Sequence, residues 1–98
     1  MNKNLQIAEQ VLDCVGGKEN VIDVVHCATR LRFHLHDDSK VDEENLKKME
    51  GVFGVMNAGG MYQVIIGQNV EKVYDHLCQI GGFEKEEKID EVLDEGIG

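Results

Sequence analysis

The sequence predicts an α+β fold, in which three helices mainly cover one face of a four-stranded antiparallel sheet in the order α-β-β-α-β-β-α. Segments whose apolar residues recur every three or four positions alternate with pairs of short β-type segments, a pattern typical of helices and hairpins. The connections are shorter than the dozen or so residues that a crossover between parallel strands needs. With 98 residues, 42% of them apolar, the chain is long enough to bury one core.

The first half of the chain contains one predicted helix and two predicted strands. Residues 5–15 carry an apolar face at helical spacing, and the glycine pair at 16–17 ends that helix where a left-handed residue is needed. Residues 21–25 are short and β-branched, which favours a strand. Residues 29–36 alternate strictly, which predicts a strand with one buried and one open face. The inward set is Leu31, Phe33 and Leu35, and the outward set is Arg30, Arg32, His34 and His36.

The second half begins with a short helix. Asp42 is predicted to cap its first turn, Val41 and Leu46 can pack against each other across that turn, and the helix ends before Gly51. The remaining predicted elements are a strand at 52–56, a turn at 57–60, a strand at 61–66 and a helix at 69–80 that ends at Gly81.

The net charge of −9 limits the classes of partner. Nucleic acid and anionic membrane surfaces are bound by clustered cations, so this charge argues against both. No apolar run approaches the ~20 residues of a membrane-spanning helix, and the first residues lack the apolar stretch of a signal peptide. The three cysteines are odd in number and form no C-x-x-C pair, which indicates free thiols in a reducing compartment. These features predict a soluble cytoplasmic domain.

The charge is unevenly distributed along the chain. Between residues 84 and 95 there are seven acids and two lysines, so this short segment carries more than half of the net charge. We therefore expect residues 1–83 to form the domain and residues 84–98 to form an acidic linker or tail.

The candidate site is centred on Cys27. The only two arginines of the chain, Arg30 and Arg32, lie on one side of the same predicted strand within five residues of this cysteine. Nearby cations stabilise a thiolate, and guanidinium groups are suited to phosphoryl oxygens. At the predicted turn, the amides of Ala28, Thr29 and Arg30 can form an anion-binding nest, to which the Thr29 hydroxyl adds a donor. Together these groups indicate phosphoryl transfer through a phosphocysteine.

Other interpretations of these residues stay open at this stage. Cys27 could be an inert thiol in a regulatory module that binds a ligand or partner without chemistry. A cysteine phosphatase would need arginine where this chain has Phe33. A metal site would draw on residues that match no standard zinc spacing, and no metal is expected. Those residues are His26, Cys27, His34 and His36. Cys14 and Cys78 fall within predicted helices and are expected to be structural.

Four blocks of sequence resemble a known family. They are GGKENVI at 16–22, HCATRLRF at 26–33, GVFGV at 51–55 and QVIIG at 63–67. In this order they look like the enzyme IIB domain of the bacterial phosphoenolpyruvate-dependent sugar phosphotransferase system, in its glucose, glucoside and sucrose superfamily. The wording of the second block is most similar to the β-glucoside and sucrose types.

The resemblance implies a function for each matched residue. Cys27 matches the cysteine that accepts a phosphoryl group from a phosphohistidine of the IIA domain or protein and passes it to a sugar held by the membrane-embedded IIC domain. Arg30, Arg32 and Thr29 match phosphate-binding residues of that loop and strand, and the arginines are implied most clearly in delivery to sugar. His26 departs from many glucose-type members, so we expect it to shape the loop rather than to act as an acid or base. The resemblance implies neither a metal nor an organic cofactor, and it implies a location on the cytoplasmic side of the membrane.

Overall fold

The structure is a computed structural model that describes residues 3–83. Its elements are α1 Lys3–Cys14, β1 Val21–His26, β2 Arg30–Leu35, α2 Glu43–Lys48, β3 Gly54–Ala58, β4 Met61–Ile65 and α3 Val70–Gly81, with short 3₁₀ turns at Lys18–Asn20 and Asp38–Lys40. All strand pairs are antiparallel, and the order across the sheet is β1-β2-β4-β3. The predicted α+β architecture is confirmed. The predicted acidic segment 84–98 lies outside the described residues.

The core lies between one face of the sheet and the helices. Leu31 and Phe33 of β2 are fully buried there, and they belong to the same apolar cluster as Val11 of α1 and Leu77 of α3. Since strand side chains alternate, the residues between them point to the opposite face. We call this opposite side of the sheet the open face; it carries the outward residues of β2 and their neighbours on β4 and β3. No helix within residues 3–83 has both the length and the apolar composition needed to cross a membrane.

A β-bulge in β1 determines which residues of that strand reach the open face. Val21 pairs with Leu35, whereas Asp23 pairs with His34, so Ile22 is the extra residue of the bulge. Ile22 is consequently 54% exposed, while Val24 points into the core. The bulge brings Asp23 opposite His34, and Asp23 Oδ1 lies within hydrogen-bond distance of His34 Nδ1, at 2.7 Å.

The second hairpin begins two residues later than the sequence predicted. Strand β3 starts at Gly54 rather than at Val52, because the Val52 amide donates to the Met49 carbonyl and closes the end of α2. The turn contains only Gly59 and Gly60, and both have positive φ angles of 63° and 78°. Two consecutive residues of positive φ form a tight hairpin turn, so the two residues before them extend the strand.

Two capping predictions are confirmed. The Asp42 side chain accepts a hydrogen bond from the Asn45 amide at the start of α2. After α1, Gly16 and Gly17 have φ angles of 107° and 82°, and the Gly17 amide donates to the Leu12 carbonyl.

Candidate functional site

Cys27 begins the short loop that joins β1 to β2. The Cys27 amide donates to the Arg30 carbonyl at 3.0 Å, which closes the loop on itself. The Thr29 carbonyl accepts two further hydrogen bonds, from the amides of Ile66 at 2.8 Å and Gly67 at 2.9 Å. The loop is therefore held both by its own hairpin hydrogen bond and by the residues that follow β4. Cys27 is half-buried in this loop, at the end of the β1–β2 hairpin.

The environment of Cys27 lowers the pKa of its thiol. Burial opposes ionisation, but the backbone N–H groups of Thr29 and Arg30, together with the side chain of Arg32, stabilise the thiolate and outweigh it. The sequence led us to expect a lowered pKa, but it attributed the effect mainly to the two guanidinium groups. In the structure, two amides of the predicted nest, those of Thr29 and Arg30, lower the pKa more than any side chain does. The amide of Ala28 is not among the groups that lower it.

Arg32 is the arginine whose side chain reaches the thiol. Its Nη2 donates to Cys27 Sγ at 3.8 Å, and its Nε is buried without a hydrogen-bond partner among the described residues. Nε and Nη2 form one edge of a guanidinium, the edge that binds two oxygens of an anion at once. A buried donor without a partner is costly, so this N–H is a potential donor to an anion beside the thiol.

Arg30 lies on the same face, but its side chain does not contact Cys27. Its Nη1 donates to Gln63 Oε1 at 2.9 Å and to Met56 Sδ at 3.3 Å. The expectation that both guanidinium groups flank the thiol is therefore only half correct. The side chain of Arg30 extends across β4 to β3, and it is the backbone of this residue that contacts the sulfur.

Gln63 was missed by the sequence reasoning. It lies opposite Arg32 on β4 and is only 8% exposed, although it points to the open face. The signal was present in residues 61–66, because the alternation of that strand buries Tyr62 and Val64 on the helical side and turns Gln63 toward the arginines.

His26 and His34 lie on opposite sides of the sheet. The ring of His26 packs against Tyr74 of α3 at a centroid distance of 4.5 Å, and its Nδ1 lies 3.0 Å from the Cys27 carbonyl oxygen. This placement agrees with a role in shaping the loop. His34 lies on the open face and is paired with Asp23. Within residues 3–83, no three His, Cys, Asp or Glu side chains are grouped so that they could hold a metal ion.

The other two cysteines differ from Cys27 in their surroundings. Burial raises the pKa of the Cys14 thiol, and the negative charges of Asp42 and Asp13 raise it further. Cys78 is 5% exposed in the core-facing side of α3. Of the three thiols, only Cys27 combines access from solvent with a lowered pKa.

Three kinds of comparison with known proteins all indicate the same family. The sequence model of the family described as phosphotransferase system, EIIB, matches residues 9–42. The chain is 52% identical over 81 residues to the β-glucoside-specific EIIBCA component of the PTS of Halalkalibacterium halodurans, and this alignment covers 83% of the chain. It is 39% identical over 85 residues to the sucrose-specific EIIBC component of Bacillus subtilis, covering 86% of the chain. The chain spans only 13% and 18% of the lengths of these two relatives.

A solved structure agrees with the fold. The crystal structure of one domain of the PTS IIabc component from Clostridium difficile superimposes with a TM-score of 0.79 at 34% identity. The superposition covers 86% of this chain and 87% of that one, so the similarity extends over most of both.

Proposed function

Since the chain belongs to the EIIB family of the phosphotransferase system, we propose that it is a phosphoryl carrier in which Cys27 is the acceptor. Cys27 takes a phosphoryl group from a phosphohistidine of a IIA domain or protein. It then passes the group to a sugar that the membrane domain IIC holds. The relatives are named for β-glucosides and sucrose, and we propose that the sugar is of one of these two types.

The observation that carries the proposal is that a thiol with a lowered pKa lies beside a guanidinium group with an unpaired N–H. Cys27 has a lowered pKa, and the buried Nε of Arg32 lies on the same guanidinium edge as the Nη2 that contacts the sulfur. Phosphoryl transfer depends on positioning and on neutralising the charge of the equatorial oxygens. In the proposal, this edge binds two of those oxygens, and the amides of Thr29 and Arg30 remain directed at the sulfur side of the group.

The two steps of the relay balance as substitutions at phosphorus. In the first, a lone pair of the Cys27 thiolate forms the S–P bond while the P–N bond to the donor histidine breaks, and the electron pair returns to the imidazole nitrogen. In the second, a sugar hydroxyl oxygen forms the O–P bond, the S–P bond breaks, and the hydroxyl proton is lost to a base or to solvent. The low pKa that favours the thiolate as a nucleophile also makes it a good leaving group.

The surface beside the loop supports docking of large partners. Phe53 is 78% exposed, and its ring packs against Gly67, whose amide holds the Thr29 carbonyl. Aromatic side chains are enriched in protein interfaces, and this one is exposed beside the loop. We propose that the IIA and IIC domains contact this edge in turn. In this view residues 84–98 connect the domain to IIC, which places it on the cytoplasmic side of the bacterial membrane.

Phosphorylation in vitro tests the proposal. The chain is incubated with phosphoenolpyruvate, the general phosphotransferase proteins and a β-glucoside-type IIA, and the labelled residue is identified by mass spectrometry. We expect one phosphoryl group on Cys27, complete loss of labelling in Cys27→Ser, and normal labelling in the matched variants Cys14→Ser and Cys78→Ser. Equal labelling of Cys27→Ser and the wild type would refute the assignment.

A further inference from the structure

His26 holds one end of the peptide group that joins Cys27 to Ala28. Its Nδ1 lies 3.0 Å from the Cys27 carbonyl oxygen. A carbonyl oxygen can only accept a hydrogen bond, so Nδ1 carries the proton and donates it, which fixes the tautomer of the neutral ring. The ring itself is held on the helical side of the sheet by Tyr74, at a centroid distance of 4.5 Å. The Cys27 carbonyl is therefore turned toward the helices.

The other end of the same peptide group is the Ala28 N–H. The peptide bonds of residues 3–83 are all trans, and in a trans peptide the C=O and the N–H point in opposite directions. The Ala28 N–H is consequently turned toward the open face, the side from which Arg32 reaches the Cys27 sulfur. Ala28 is exposed, and no group within residues 3–83 accepts a hydrogen bond from its N–H. The loop therefore has a backbone donor without a partner beside the thiol.

We propose that His26 is a positioning residue that keeps the Ala28 N–H directed at the oxyanion carried on Cys27. The inference rests on the proposed function, because the anion in question is the phosphoryl group. The Ala28 nitrogen and the Cys27 sulfur are each two bonds from the Cys27 Cα, so an oxygen of a group on that sulfur lies within reach of this N–H. The Nε–Nη2 edge of Arg32 binds two of the three oxygens, and the Ala28 N–H donates to the third. Because His26 fixes the peptide group beforehand, binding the anion does not have to reorder it.

The sulfur and the oxygens have separate backbone donors in this arrangement. The N–H groups of Thr29 and Arg30 lower the pKa of the Cys27 thiol, whereas the N–H of Ala28 does not. A donor that is directed past the sulfur, toward the group attached to it, has this property.

Two substitutions of His26 separate its hydrogen bond from its packing. His26→Phe keeps an aromatic ring against Tyr74 but has no N–H, whereas His26→Asn loses the ring but keeps a side-chain N–H donor close to the backbone. The matched control is His36→Phe, at an exposed histidine at the far end of the β1–β2 hairpin. Each protein is alkylated at Cys27 with iodoacetate and with iodoacetamide. The ratio of the two rates reports how well the site accepts a carboxylate in place of a neutral amide, without any phosphotransferase protein.

We expect His26→Phe to lower the ratio of the iodoacetate rate to the iodoacetamide rate about fivefold, the effect of losing one hydrogen bond of ordinary net strength. His26→Asn should keep most of the wild-type ratio, and His36→Phe should leave it unchanged. A role limited to ring packing predicts the reverse order, in which His26→Asn loses more than His26→Phe. That order, or a wild-type ratio in His26→Phe, would overturn the inference.

NMR spectroscopy of the wild-type chain tests the geometry without relying on the folding of any variant. At alkaline pH, where the imidazole is neutral, Nδ1 of His26 should have the ¹⁵N shift of a protonated ring nitrogen and Nε2 that of an unprotonated one. The opposite tautomer would contradict the inference.

The same spectra are then recorded after phosphorylation, which is verified by the mass of one added phosphoryl group on Cys27. We expect the Ala28 amide proton to shift strongly downfield, as an N–H does when it donates to a phosphoryl oxygen, and the His36 amide proton to stay in place. An unshifted Ala28 amide in a chain that does carry the phosphoryl group would refute the role of His26 alone. Failure of Cys27 to accept the group would instead refute the proposed function.

Discussion

Asn20 is expected to be the polar side chain whose loss destabilises the fold most. It is 2% exposed, and it joins the loop after α1 to the loop after β2. Its Nδ2 donates to the carbonyls of Val15 at 2.8 Å and Asp37 at 2.9 Å, and its Oδ1 accepts from the Asp37 amide at 3.0 Å. Asn20→Ala removes all three hydrogen bonds and leaves three backbone groups without that partner.

The size of the effect follows from those three groups. Each is expected to cost about 1 kcal/mol, so the free energy of unfolding should fall by about 3 kcal/mol. That is a large share of the roughly 5–15 kcal/mol that stabilises a domain. It corresponds to a decrease in Tm of about 12–24 °C for a chain of this length.

Urea and thermal unfolding followed by circular dichroism measure this loss directly. The control is Asn45→Ala, whose exposed side chain bonds only Asp42, and we expect it to cost less than about 0.5 kcal/mol. At a temperature where Asn20→Ala is folded, alkylation of Cys27 should be unchanged, because the thiol lies at the opposite end of the β1–β2 hairpin. A loss below about 1 kcal/mol for Asn20→Ala would refute the reasoning that these buried bonds fasten the two loops.

Three further predictions concern the thiol and its surroundings. The iodoacetamide alkylation rate of Cys27 should reach half its maximum at a lower pH than that of Cys14. Only the thiolate reacts, and the two pKa values are shifted in opposite directions. Identical pH profiles for the two cysteines would contradict these shifts. Arg32→Met should raise the pKa of Cys27 and move its profile to higher pH, as measured by the same titration. Phe53→Ser should slow IIA-dependent phosphorylation roughly tenfold and leave the alkylation rate of Cys27 unchanged. The control is Ile22→Ser, at an exposed apolar residue on the bulge of β1, which should slow neither the phosphorylation nor the alkylation.

The features predicted well from the sequence are those that depend on local periodicity. Residues 29–36 alternate without exception, so the buried and open faces of β2 follow directly from the pleat of a strand. The position of β3 could not be derived in the same way. Asn57 and Ala58 have the composition of a turn, yet they pair with Tyr62 and Met61, because a two-glycine turn of positive φ needs no further residues.

The direction of long side chains is the part of the site that the sequence does not contain. Arg30 and Arg32 are equivalent in the alternation of β2, but one guanidinium reaches Cys27 and the other reaches Gln63. A strand pattern assigns each residue to a face, whereas the partner of a long arginine side chain depends on which residues the neighbouring strand presents there. The hydrogen bond between Arg30 and Gln63 can be inferred only when β4 is known to lie beside β2.

The site therefore depends on both hairpins, although its cysteine and arginines all come from the first. The two amide hydrogen bonds to the Thr29 carbonyl come from Ile66 and Gly67, which directly follow β4, and Gln63 lies in the middle of β4. These bonds hold the loop in which the amides of Thr29 and Arg30 point at the sulfur and lower its pKa. A segment containing only residues 9–42, the part matched by the family's sequence model, would keep Cys27 and both arginines but lose these supports. Thiolate activation is accordingly a property of the folded four-stranded sheet, and it should be lost on unfolding even though every residue that contacts the sulfur lies within six positions of the chain.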